Sequence, residues 1–190
     1  YPFNLGKNNS FSTTVSLPEG RQSAILKGTD EAGNNSDFLT ITVKIDTILP
    51  QVTGVTFENN GKTLNDDTLT VTPSATDEGS GVSKILVGVK PNFPESEAIG
   101  EGSVSGAKII CTMWSASESL KQKPDGNYTI YVRCIDKAGN VSPDFEAGSF
   151  VYDRTPPKVE IKSPVNLSSV YKKITVSGTV EDNNLKDLNS

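Results

Sequence analysis

The chain has 190 residues, 34% of them apolar, and 18 Lys and Arg against 23 Asp and Glu give it a net charge of −5. It has no histidine, which removes the most common general base and metal ligand. An acidic chain without clustered Lys and Arg is not expected to bind nucleic acid, and no apolar stretch reaches the roughly 18 residues of a membrane span. Because the sequence begins at Tyr1 without Met or a signal peptide, we expect a piece of a larger protein.

Short segments of alternating apolar and polar residues follow one another along the chain. In the first, residues 39–45, Leu39, Ile41, Val43 and Ile45 share one face. The same alternation returns at 128–135, 158–164 and 174–180. Turn sequences such as ENNGK, DEGSG, KPDGNY and DKAGN stand between these segments, and no stretch of twelve residues has a helical period. The sequence therefore predicts an all-β protein.

Two stretches of the chain share one order of features: an Asp-x-Ala-Gly-Asn turn, an alternating apolar strand, and an Asp followed by Pro. The turns begin at Asp30 and Asp136, 106 residues apart, and the later aspartates, Asp46 and Asp153, are 107 apart. A second pair of stretches, 69–85 and 174–188, aligns Asp77 with Asp182. A period of this size predicts tandem domains, each near the length of a two-sheet sandwich. The predicted domains are the end of one repeat (1–49), a complete repeat (50–156) and the start of a third (157–190).

The motifs TDEAGNNS…KIDTILP, DGNYTIYVRCIDKAGN and IDKAGNVS…VYDRTPPKVEIKSP resemble bacterial immunoglobulin-like (Ig-like) repeat domains. Such domains occur in tandem in large surface adhesins, stalks and multidomain cell-surface enzymes. The resemblance implies Ig-like antiparallel β-sandwich repeats in an extracellular protein, secreted or at the bacterial cell surface. The polar insertion at 91–108 departs from the family pattern.

The function that the resemblance implies is a non-catalytic structural or adhesion module, one section of a tandem stalk. Its partners would be the neighbouring repeats and a host or surface ligand, either protein or glycan. The alternative is an accessory module of a secreted multidomain hydrolase. A chain without histidine cannot form a Ser-His-Asp triad, so we expect no enzyme activity. The stretch GEGSVSG (100–106) lacks the strand and helix that flank a phosphate-binding loop, which predicts a flexible loop instead.

Five aspartates are candidate metal ligands. In an Ig-like sandwich the turns that carry Asp77 and Asp136 lie at the end that meets the linker carrying Asp46. Three carboxylates with backbone carbonyls would suit Ca²⁺, which takes six to eight oxygen ligands. By the repeat, Asp153 and Asp182 would begin an equivalent site at the next junction. The alternative is that each Asp only caps its own turn.

Cys111 and Cys134 are the only cysteines. In an exported protein they would form a disulfide that closes a loop of about two dozen residues, worth about 3 kcal/mol. The alternative is a pair of buried thiols that pack as small apolar groups. We expect Trp114 in the core, and Tyr128 resembles the corner tyrosine of Ig sandwiches, whose hydroxyl bonds a loop backbone.

The two end segments, 1–46 and 158–190, each hold only part of a predicted repeat. Neither can bury a sandwich core alone, because one sheet face without its partner stays in contact with water. Two arrangements follow. Either the closing strands of one molecule pair with the opening strands of a neighbour, head to tail, or each end packs against its own middle domain.

Overall fold

A computed structural model describes residues 10–103, 105–113, 123–166, 168–169 and 173–185. The regular structure in these ranges is β, apart from a short 3-10 turn at Glu95–Glu97. The strands are β1 (Gly20–Leu26), β2 (Leu39–Ile45), β3 (Gln51–Phe57), β4 (Thr63–Leu64), β5 (Thr68–Thr76), β6 (Val82–Gly88), β7 (Gly100–Gly102), β8 (Ile109–Thr112), β9 (Gly126–Asp136), β10 (Phe145–Tyr152), β11 (Lys158–Ser163) and β12 (Ser177–Glu181). The prediction of an all-β protein is confirmed.

Strands β3 to β10 form two sheets. One has the order β3-β5-β8 and the other the order β4-β10-β9-β6-β7. Neighbouring strands are antiparallel except β4, which runs parallel to β10. The buried side chains of both sheets meet in one core, so the arrangement is consistent with a β-sandwich.

The core follows from the two-residue period of its strands. Ile130, Val132 and Cys134 of β9 are fully buried, as are Leu69 and Val71 of β5 on the opposing sheet. Side chains at alternate positions point to the same face, so the apolar set of each strand meets the other sheet. The predicted corner bond of Tyr128 is also present: its hydroxyl donates to the Pro124 carbonyl over 2.7 Å.

Two further two-stranded sheets flank this core. Strands β1 and β2 pair along their whole length, and β11 pairs with β12. The strand predicted at 39–45 matches β2, whereas the strand predicted from 174 begins only at Ser177. Trp114, which was predicted to lie in the core, falls outside the described residues.

The prediction of a flexible loop at 100–106 is wrong in part. Gly100–Gly102 form β7 and pair with β6. A Cβ on Gly100 would collide with the Cys111 sulfur, and a Cβ on Gly102 with Ile109, so these glycines permit close packing. The preceding insertion also contributes to the core, because Phe93 is fully buried. An apparently polar insertion thus extends the five-stranded sheet.

Candidate functional site

The turn that follows β9 is organised by the carboxylate of Asp136. Its Oδ1 accepts hydrogen bonds from the backbone N–H groups of Ala138 (2.8 Å), Gly139 (2.7 Å) and Asn140 (2.8 Å). Asn140 Nδ2 donates to the other oxygen over 2.8 Å, and Gly139 takes a φ of 97° that favours glycine. Burial acts to raise the pKa of Asp136, but the hydrogen bonds from Asn140 and its neighbours outweigh it and lower the pKa. The group is therefore a carboxylate at neutral pH.

Asp46, in the linker after β2, is held against two turns of the middle sandwich. Its Oδ2 accepts a hydrogen bond from the Ser80 N–H, and its carbonyl oxygen accepts one from Asn140 Nδ2 over 2.9 Å. The interaction with the Ser80 side chain is the largest cause of the lowered pKa of Asp46, and the hydrogen bond from the Ser80 N–H lowers it further. A Cβ on Gly79 would collide with the Asp46 carboxylate, so this close approach requires glycine there. Asn140 thus joins the linker to the turn that Asp136 organises.

Asp77 completes a group of three carboxylates. One oxygen each of Asp46, Asp77 and Asp136 lies within 4.8 Å of the other two. Asp77 Oδ2 accepts the N–H of Gly81 over 2.6 Å, whereas Oδ1 is buried and has no hydrogen-bond partner among the described residues. The structure therefore places all three aspartates together, as the Ca²⁺ prediction requires.

The donor set of this cluster fits a hard cation. Three carboxylates so close repel one another, and a bound cation would offset that repulsion. The hydrogen bonds that Asp136 accepts from Ala138, Gly139 and Asn140 are those that the turn-capping alternative expects of it. That alternative leaves Asp77 Oδ1 unexplained, and this atom is the one that Ca²⁺ would satisfy.

The second junction has a similar but less complete arrangement. Asp153 Oδ1 accepts the Thr155 N–H over 3.1 Å, just as Asp46 Oδ1 accepts the Ile48 N–H over 3.2 Å. Asn184 Nδ2 donates to Asp153 Oδ2 over 2.6 Å, and the Asn184 N–H donates to Asp182 over 2.7 Å. Both aspartates line a cavity of about 430 Å³. Within the described ranges no third carboxylate joins them as Asp136 joins the first cluster.

A second pair of linker contacts was not anticipated from the sequence. Glu19 accepts the N–H (2.9 Å) and hydroxyl (2.7 Å) of Thr47. Asp125, 106 residues later, accepts the N–H of Arg154 (3.0 Å) and the hydroxyl of Thr155 (2.5 Å). The available signal was the Pro-acid-Gly sequence at 18–20 and again at 124–126. Each linker is thus bonded to the acidic residue just before the first strand of the hairpin that precedes the linker.

The turn between β1 and β2 and the turn between β9 and β10 have the same hydrogen bonds. Ser36 Oγ accepts the Gly28 N–H and Ser142 Oγ accepts the Cys134 N–H, both over 2.9 Å. Asp30 bonds the N–H and the side-chain amide of Asn34, as Asp136 does with Asn140. The 106-residue offset therefore describes three-dimensional contacts as well as sequence.

The predicted disulfide is not formed, and the structure has Cys111 and Cys134 as free, buried thiols. They lie on β8 and β9, strands of different sheets, and both belong to the core. Burial raises the pKa of Cys111 to about 12 and also raises that of Cys134. Both are therefore protonated at neutral pH and are not activated nucleophiles.

No helix in the described part of the chain is long and apolar enough to cross a membrane. No family model, curated protein or solved structure matches this chain.

Proposed function

We propose that this chain is a non-catalytic section of an extracellular stalk built from tandem Ig-like domains. One observation carries the proposal: the two linkers are bonded to opposite ends of strand β9. Asp46 meets the turn at Asp136, where β9 ends, and Thr155 meets Asp125, just before β9 begins. An extended strand of 11 residues spans about 37 Å. The chain therefore enters and leaves at the two ends of the long axis, as a spacer requires.

Three features support the Ig-like assignment of the middle sandwich. The parallel pairing of a short early strand, β4, with the last strand, β10, closes the larger sheet. The Tyr128 hydroxyl makes the corner bond. The hairpin and linker contacts recur 106 to 107 residues apart, which is the expected length of one such domain.

The linker contacts limit bending between domains, which a spacer must resist at its junctions. Side chains of the middle domain bond the linker backbone, so the linker is less able to swivel. Ca²⁺ at Asp46, Asp77 and Asp136 would tie the linker to both turns and stiffen the junction further. The non-catalytic part of the proposal is supported by the missing histidine and by the protonated thiols.

The rigidity of the junction is tested by measuring the distribution of distances between two spin labels, one on each side of the first linker. Spin labels at Thr40 and Glu146, both exposed, place one probe on β2 and one on β10. Asn140→Ala removes the hydrogen bond to the Asp46 carbonyl and should broaden the measured distances. Asn34→Ala is the matched control, because Asn34 Nδ2 bonds Asp30 in an equivalent turn and, within the described residues, no linker is bonded to it.

The unsubstituted chain should show one narrow distance distribution, and Asn34→Ala should leave it narrow. A broad distribution in the unsubstituted chain would contradict the proposal, since the linker would then not fix the angle. A narrow distribution that persists in Asn140→Ala would show that the hydrogen bond through Asn140 does not hold the junction.

A further inference from the structure

The chain contains a single Asn-Gly step, formed by Asn60 and Gly61 in the turn between β3 and β4. In such a step the backbone nitrogen of the glycine can attack the side-chain carbonyl carbon of the asparagine, because glycine has no side chain to obstruct the approach. A bond forms between that nitrogen and Cγ, and the side-chain nitrogen leaves as ammonia with the proton that the glycine nitrogen gives up. Water then opens the imide ring and leaves aspartate or isoaspartate. Both residues are exposed to the water that this reaction consumes.

Both reacting groups are held by one residue of the last strand of the middle sandwich, Ser149 of β10. The Gly61 N–H donates to the Ser149 carbonyl over 2.7 Å, so the attacking nitrogen keeps its proton in a hydrogen bond. The Ser149 N–H donates to Asn60 Oδ1 over 3.0 Å, which fixes the orientation of the side-chain amide. In the folded chain the two groups therefore bond Ser149 instead of reacting with each other.

The backbone of β10 is shaped to receive the Asn60 side chain. A β-bulge in this strand ends at Gly148, which has a φ of 136° that favours glycine. A Cβ on Gly148 would collide with Asn60 Oδ1, so the asparagine side chain occupies space that only glycine leaves free. Further along the same edge, the Val151 N–H donates to the Lys62 carbonyl over 2.9 Å. The side-chain carbonyl of Asn60 thus extends the pairing of β4 with β10 by one further acceptor.

We propose that Asn60–Gly61 is a covalent modification site, which deamidates only when the edge formed by residues 60–64 separates from β10. Strand β4 is two residues long and lies at the edge of its sheet, and local opening of such an edge costs less free energy than global unfolding. Opening releases the Gly61 nitrogen and the Asn60 side chain, and water is the only co-reactant. Isoaspartate adds one carbon to the backbone between these residues, so the modified edge cannot resume its pairing with Ser149. The site therefore converts a transient opening into a permanent change.

The proposal is tested by incubating the whole chain at mildly alkaline pH and measuring deamidation of the peptide that contains Asn60 by mass spectrometry. The reaction should be slower in the folded chain than in urea by about thirtyfold or more, the factor that two hydrogen bonds of ordinary net strength supply. Asn60→Asp has no amide to lose at this position and gives the background signal. Gly148→Ala should accelerate the reaction towards the rate in urea, because its methyl group displaces Asn60 from Ser149.

Gly106→Ala is the matched control, because alanine there must also adopt a left-handed φ, of 79°, in the loop before β8, and the rate at Asn60 should not change. Equal rates in the folded and unfolded chains would overturn the proposal, as would a folded Gly148→Ala variant that deamidates no faster than the unsubstituted chain. Equal acceleration by both glycine variants would also overturn it, since the rate would then report unfolding of the whole domain. Hydrogen exchange of the Gly61 amide tests the unsubstituted chain directly: the amide should be protected, and an unprotected amide would contradict the bond to Ser149.

Discussion

Leu69 and Ile174 occupy corresponding positions, and truncating each to alanine should have very different effects on stability. Leu69 is fully buried between the two sheets, whereas Ile174 is 54% exposed. Leu69→Ala removes three carbon groups, whose transfer from water is worth about 0.8 kcal/mol each. The transfer loss of about 2.4 kcal/mol is increased by the cavity that remains, which brings the expected cost to about 3–4 kcal/mol.

Ile174→Ala should cost only about 1 kcal/mol, because a side chain that is 54% exposed loses about half of the same transfer term and leaves no enclosed cavity. The assay is urea unfolding followed by circular dichroism, at a protein concentration low enough to prevent self-association. The denaturant dependence should be unchanged in both variants if only stability is altered. A cost below about 1 kcal/mol for Leu69→Ala, or equal costs for the two variants, would refute the burial of Leu69 in the core and the exposure of Ile174.

Three further predictions concern the junctions and the thiols. Millimolar Ca²⁺ should raise the melting temperature because it binds the native state, and Asp77→Asn should remove that rise. If titration calorimetry detects no heat of Ca²⁺ binding and a chelator leaves the melting temperature unchanged, the aspartates only cap their turns. Cys111 and Cys134 should not react with a thiol reagent at pH 8 in the native chain and should both react in urea; rapid labelling of the folded chain would argue against their burial. Hydrogen bonds from Thr155 and Arg154 lower the pKa of Asp125 in the folded chain. The ionised Asp125 side chain should therefore stabilise the fold fully at pH values above its pKa in the unfolded chain. This stabilisation should be lost as the pH falls through the lower pKa of the folded chain. A carbon-detected titration should place its midpoint below that of a free Asp side chain, and an ordinary midpoint would exclude the linker bond.

The strands and hairpin turns were predictable because their signals are local. Residues 39–45 alternate with a period of two, and β2 occupies those residues. Gly139 adopts the left-handed conformation that the DKAGN turn requires, since only a residue without a side chain takes it at no steric cost. The period of 106 to 107 residues was also visible, and the matching turn contacts of Asp30 and Asp136 reproduce it. Local conformational preference and sequence self-similarity were sufficient for these features.

Other features depend on which strands lie side by side. The grouping of Asp46, Asp77 and Asp136 was expected only through a family resemblance, because these residues are far apart in sequence and meet only when the linker packs on two turns. The glycines of β7 looked like a loop until their contacts with β8 showed why a side chain is excluded. The alternating pattern of the strands could not decide whether Cys111 and Cys134 form a disulfide or remain two buried thiols. Tertiary packing decided all three, since it sets the distances between residues that are far apart in the sequence.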